Sequence, residues 1–125
     1  MSDSITVLVT DLIFSTKIAS TARSLGVDVH VVRSVDALNE RLSSQPEPHV
    51  WIDLAATGTD PIDAIRAAHT APHQPRILAY VSHVQTDLAE EARQAGADTV
   101  LPRSAFSSQL PSLLEAIKVE ADTST

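Results

Sequence analysis

The sequence predicts an α/β domain with one parallel sheet and helices on both of its faces. Three observations predict it. Short apolar or β-branched runs alternate with stretches whose apolar residues recur every three to four positions. The intervals between successive runs suit helical crossovers and are too long for hairpins. Glycine, proline and Ser/Thr/Asp cap signals fall at the junctions.

The first strand is Ile5 to Val9. Phe14, Ile18, Ala22 and Leu25 then recur at helical spacing, and Gly26 stops that helix. Val27, Val29 and Val31 alternate with Asp28 and His30, the pattern of an edge strand with one wetter face. Ser34 caps a second helix carrying Ala37, Leu38, Arg41 and Leu42. Pro46 and Pro48 bracket the approach to the third strand, Val50-Trp51-Ile52. Asp60-Pro61 is an N-cap acid with proline at the first helical position, and Ile62, Ile65 and Ala68 give that helix its apolar face. Pro75 precedes the fourth strand, Ile77 to Val81. Thr86 caps the fourth helix, Leu88, Ala92 and Ala95 face inward, and Gly96 ends it. A fifth strand lies near Thr99 to Leu101. Phe106, Leu110, Leu113, Leu114 and Ile117 line the last helix. Pro111 removes a backbone donor there, so a short turn is expected first, with the main helix starting near Pro111.

A chain of 125 residues makes one domain, 1–125, with a core over about 5–119 and a small, polar, flexible tail at 120–125. With 43% hydrophobic and 20% charged residues it is neither disordered nor membrane-like. The start, Met1-Ser2-Asp3-Ser4, lacks the basic region of a secretion signal, so a cytoplasmic location is expected. No apolar run is long enough for a bilayer. A net charge of −7 repels phosphodiester backbones, and aromatics at 3% leave no material for base stacking, which argues against nucleic acid as a partner. The absence of cysteine excludes disulfides and thiolate metal ligands. No two of the five histidines share a helix face at ligand spacing. Ser15 and Thr16 follow the first strand as in phosphate loops, without the glycines such loops require.

The chemistry-bearing residues sit where strands stop. Asp53 closes the Val50-Trp51-Ile52 run, Thr10-Asp11 closes the first strand, and Arg103 follows the fifth. In a parallel α/β sheet these ends share one edge, the edge where such sheets place their sites.

Across nearly its whole length the chain resembles the CheY-like receiver domains of two-component response regulators. The matching pieces are Val7-Leu8-Val9-Thr10-Asp11, Val50-Trp51-Ile52-Asp53-Leu54, Gly58-Thr59-Asp60, Ala95-Gly96-Ala97-Asp98 and Leu101-Pro102-Arg103-Ser104. The resemblance implies a flavodoxin-like, doubly wound sheet of order 2-1-3-4-5. It places Asp53 at the phosphoacceptor position and Arg103 at that of a phosphate-binding lysine, with Ser82 as a second phosphate contact. It implies a Mg²⁺ site made by Asp11, Asp53 and the Ala55 backbone carbonyl, since a hard cation neutralises incoming phosphate oxygens. It also implies a partner surface on helix 4, strand 5 and helix 5, including Leu88, Glu91, Phe106 and Leu110, for a histidine kinase or a downstream effector.

The departures are as informative. Thr10 replaces the first acid of the receiver pair, and Arg103 replaces the lysine, which is not a conservative exchange. Val81 falls at the position of the switch hydroxyl, with Ser82 one residue late. Val100 stands where receivers carry an aromatic, and Thr57 and Ser104 replace prolines. Such a pattern resembles an atypical or pseudo-receiver.

The bland alternatives are a solvated strand-end acid for Asp53, an acid at a helix N-terminus for Asp11, and a permanent Arg–Asp ion pair for Arg103. The expectation is a stand-alone signalling module, a monomer or weak homodimer, that works by protein contact and is not an enzyme. One alternative is a Mg²⁺-dependent phosphoaccepting regulator. Another is a flavodoxin-like binder or enzyme for an anionic small molecule, which would require a closed, largely apolar cavity at the same edge.

Overall fold

Each predicted strand forms, and all five join in one parallel sheet. The computed structural model describes residues 4–82 and 86–123, without the side chains of residue 86 and residues 120–123; the Thr86 cap side chain therefore lies outside the described residues. The elements are β1 (Ser4–Leu8), α1 (Leu12–Leu25), β2 (Asp28–Val32), α2 (Val35–Ser44), β3 (His49–Asp53), α3 (Pro61–His69), β4 (Arg76–Val81), α4 (Thr86–Ala95), β5 (Thr99–Pro102) and α5 (Arg103–Thr123). The sheet order is β2-β1-β3-β4-β5, so the expected 2-1-3-4-5 topology holds.

Local chemistry sets the boundaries. Asp11, Ser34 and Asp60 each accept a backbone N–H from the first turn of the helix they precede, at 3.2, 3.1 and 3.0 Å. Gly26 ends α1 with φ +77°, a left-handed conformation that strains any side-chain-bearing residue.

Two apolar cores sandwich the sheet. On one face Leu8, Val50, Ile52, Ile77 and Ala79 meet α2, α3 and α4 through Leu38, Leu42, Ile62, Ile65 and Ala92. On the other, Ile5, Val7, Trp51, Leu78 and Tyr80 meet α1 and α5 through Phe14, Ile18, Phe106, Leu110 and Leu114. β3 is buried at all five positions, as the central strand of a doubly wound sheet must be, whereas β2 is half exposed at the edge.

Two expectations are corrected. α5 does not begin near Pro111: it runs unbroken from Arg103 to Thr123, into the stretch expected as a tail. Pro111 faces solvent, where water can serve the carbonyl that its missing N–H leaves unbonded. Meanwhile Phe106, Leu110, Leu114 and Ile117 bury one continuous stripe across it. Packing overrides the local rule. The second correction follows from the same stripe. Phe106 and Leu110, expected at a partner surface, are both fully buried against the sheet and cannot meet a partner. Of the remaining expected surface, Glu91 is exposed and Leu88 is half-buried against the α3/α4 core.

Candidate functional site

Asp11, Asp53 and Arg103 do come together, by a route the strand order alone does not suggest. β1 and β5 are three strand spacings apart, about 14 Å. However, α1 and α5 pack side by side on the same face of the sheet. Asp11 is the N-cap of α1 and Arg103 is the first residue of α5, so their side chains meet above β3 and β4. Arg103 Nη2 donates to Asp11 Oδ2 at 3.1 Å. Its guanidinium carbon lies 4.4 Å from the centre of the Phe14 ring, a cation–π contact. The other Asp11 oxygen accepts the Phe14 backbone N–H at 3.2 Å. That hydrogen bond, and then the one from Arg103, hold the Asp11 carboxyl below its ordinary value.

Asp53 is only 3% exposed. Its Oδ1 accepts the Ala55 backbone N–H at 2.8 Å, and it makes no direct ion pair with Arg103. Burial pushes its carboxyl above the ordinary value of 3.8; the Ala55 N–H and the Arg103 charge pull it back by less. Asp53 lies directly across from Tyr80 in the β3–β4 register. The Tyr80 ring is fully buried, and its hydroxyl has no hydrogen-bond partner of normal geometry. Burial and then the Asp53 charge raise the Tyr80 phenol.

The remaining sequence candidates fall into place around this pair. Val81 points into the α3/α4 core, on the sheet face opposite Tyr80. Ser82 follows it, half-buried, and among the described residues makes no hydrogen bond to Asp53. Thr10 Oγ1, where receivers carry an acid, accepts the Thr57 N–H at 2.9 Å and so ties the β1 and β3 loops. Ala55 is exposed in the loop after β3. Sequence reasoning missed Tyr80 and Phe14. The signal for Tyr80 was a lone phenol inside an otherwise apolar strand, and register with Asp53 was needed to use it.

These residues do not fit a magnesium ion. Mg²⁺ takes several oxygen ligands in strict octahedral geometry. Here both Asp11 oxygens are engaged, one Asp53 oxygen is engaged, and the third acid is a threonine. Among the described residues no group of three acids or histidines is placed to hold a metal. Three cavities among the described residues, of about 630, 210 and 310 Å³, open at the amino ends of the strands, and none of the three is lined by Asp11, Asp53 or Arg103.

The raised Asp53 carboxyl carries a prediction. An acid whose folded value is raised contributes stability below 3.8 that is lost as pH rises through the folded value. Asp53→Asn removes that loss while keeping an acceptor for the Ala55 N–H. The variant is expected to be more stable than the parent by about 1 kcal/mol at neutral pH, with the gain vanishing below pH 3.8. Urea titrations at several pH values check it; a variant less stable at pH 7 would mean that Asp53 is well solvated.

No protein-family model and no curated protein sequence matches the chain. Solved structures do. NtrX from Brucella abortus matches with TM-score 0.79 at 15% identity, over 99% of this chain and 29% of that one. The chain thus spans under a third of that protein. A putative response regulator from Chloroflexus aurantiacus matches with TM-score 0.80 at 14% identity, over 94% of this chain and 98% of the other. The receiver domain of a sensor histidine kinase from Pseudomonas aeruginosa, which has a magnesium ion coordinated in its active-site cleft, gives TM-score 0.74 at 19% identity, over 92% and 99%. With strand order 2-1-3-4-5, five surrounding helices and these structural neighbours, the chain has the CheY-like fold of response-regulator receiver domains.

Proposed function

We propose that this domain is a signalling module of the two-component kind that acts by binding another protein, and that Asp53 is not a phosphoacceptor in it. The observation that carries the reading is the Asp11–Arg103 pair laid on Phe14, beside an Asp53 that is 3% exposed. Phosphoryl transfer needs an ionised, accessible carboxylate and a cation free to meet the phosphate. Here the carboxylate is buried, and Arg103, the cation beside it, is already bonded to Asp11. Thr10, the engaged Asp11 oxygens and the lack of a hydroxyl contact from Ser82 point the same way.

Output through a protein surface follows from what is exposed. α4 presents Asp87, Glu90, Glu91, Arg93 and Gln94, a charged face suited to a charged partner. Leu12 and Ile13 stand 67% and 84% exposed at the start of α1, next to the Asp11–Arg103 pair, and add an apolar contact that the sequence reading did not single out. A histidine kinase or a downstream effector is the class of partner in view.

Incubation with acetyl phosphate and Mg²⁺, followed by intact-mass measurement of the parent and Asp53→Asn, tests the reading. No gain of a phosphoryl group is expected in either. A gain in the parent that the variant lacks would establish the phosphoaccepting alternative instead.

A further inference from the structure

The misfit between this cleft and a divalent ion has a positive counterpart, which rests on the reading that Asp53 takes no phosphate. We propose that the Arg103 guanidinium is the built-in cation of the cleft, standing in for a divalent metal and leaving the domain indifferent to Mg²⁺.

Two carboxylates at the ends of the neighbouring strands β1 and β3 repel, and one of them is buried, so the fold needs a positive charge at this edge. A bound ion can supply it, and so can a side chain. Arg103 supplies it to both acids, bonded to Asp11 at 3.1 Å and acting on Asp53 through its charge. The arm is fixed at two points. One nitrogen of the guanidinium donates to Asp11 while its carbon sits over the Phe14 ring, 4.4 Å from the centre. The Phe14 ring is itself immobilised, edge-on to Tyr80 at 5.5 Å and tilted against Phe106 at 5.9 Å. This geometry gives a reason for arginine where the resemblance calls for lysine. A planar fork can bond a carboxylate at its edge and stack at the same time; an ammonium is a point charge and offers no flat face. Thr10 completes the exchange. With one acid fewer than the receiver pattern, two carboxylates face one guanidinium, leaving too little negative charge to draw a second cation in.

Thermal unfolding of the full chain, with no phosphodonor, tests the proposal at matched ionic strength with and without MgCl₂. The parent midpoint is expected to move by less than roughly 1 °C with about 10 mM Mg²⁺. Arg103→Ala should unfold at a lower temperature, and the ion should then raise its midpoint by about 5 °C, as millimolar binding to the vacated cleft requires. The double variant Arg103→Ala/Asp53→Asn should lose that response. Should Arg103→Ala fail to fold, Arg103→Lys, which keeps the charge and loses the stacked plane, is expected to show a smaller response of the same sign. A parent that gains several degrees from Mg²⁺ overturns the proposal. So does an Arg103 variant that folds and ignores the ion. Phosphoryl uptake at Asp53 would overturn the functional reading through the mass measurement, whereas Mg²⁺ binding to the parent would overturn only this inference.

Discussion

Replacing Glu47 with alanine is expected to destabilise the domain by about 3 to 4 kcal/mol. Glu47 sits between α2 and β3 and is only 1% exposed, a burial that a carboxylate tolerates only with partners. It has them on both oxygens. Oε1 accepts from the Ser4 hydroxyl at 2.7 Å. Oε2 accepts from Thr6 Oγ1 at 2.8 Å and from Arg41 Nη2 at 3.3 Å. The cluster joins the start of β1 to the end of α2 and the entry to β3, the strand that ends in Asp53. Alanine removes an acceptor from the fully buried Thr6 hydroxyl, leaves Arg41 without its carboxylate, and opens a cavity. Glu47→Gln keeps one acceptor oxygen and is expected to lose about half as much. Urea unfolding followed by Trp51 fluorescence measures it, with an unchanged slope showing that the denatured state is unaltered. A loss under about 1 kcal/mol would mean that water already shares the cluster. Because Glu47 lies at the amino edge of the sheet, the variant should remain as indifferent to Mg²⁺ as the parent.

The fold was legible because its signals are local. Asp60-Pro61, Ser34 and Gly26 mark helix ends within a few residues of themselves, and the apolar runs announce strands by their periodicity. That Asp53 ends β3 could be read for the same reason. The burial of that acid and its pairing with Tyr80 could not, because both depend on the register between β3 and β4. The bond between Asp11 and Arg103 joins residues 92 positions apart and arises from helix packing, not from strand order. Resemblance to receivers singled out Asp11, Asp53 and Arg103, which the structure brings to one edge, and it misled on the last helix. It assigned the last helix to a partner surface as a whole element, although a helix has two faces and the apolar spacing of Phe106, Leu110 and Leu114 already marks the inner one. Pro111 misled in the opposite direction: a strong local rule yielded to that same stripe.

Phe106→Ala is the sharpest test of that correction, with an expected loss of about 4 kcal/mol and a fall in melting temperature of roughly 15 °C. Phe106 is fully buried and stands at the centre of the aromatic cluster. Its ring stacks on Tyr80 at 4.2 Å, meets Trp51 edge-on at 5.2 Å and touches Phe14 at 5.9 Å. Truncation removes ring contacts worth about 0.5 to 1.5 kcal/mol each beyond area burial, and leaves a void between α5 and the sheet. Glu91→Ala, at the exposed position of the same expected surface, should change stability by less than about 0.5 kcal/mol. If Phe106 were instead an exposed docking residue, the two variants would be equally stable. The loss also reaches the cleft. Phe14 carries the Arg103 guanidinium on one side and leans on Phe106 on another, so a loosened Phe14 frees the arm from its stacked position. Near-ultraviolet dichroism of Trp51 and Tyr80 should therefore weaken together in Phe106→Ala, and a folded fraction of that variant should begin to respond to Mg²⁺. The state of the cleft would then depend on aromatic packing beneath it as well as on the charges at its rim.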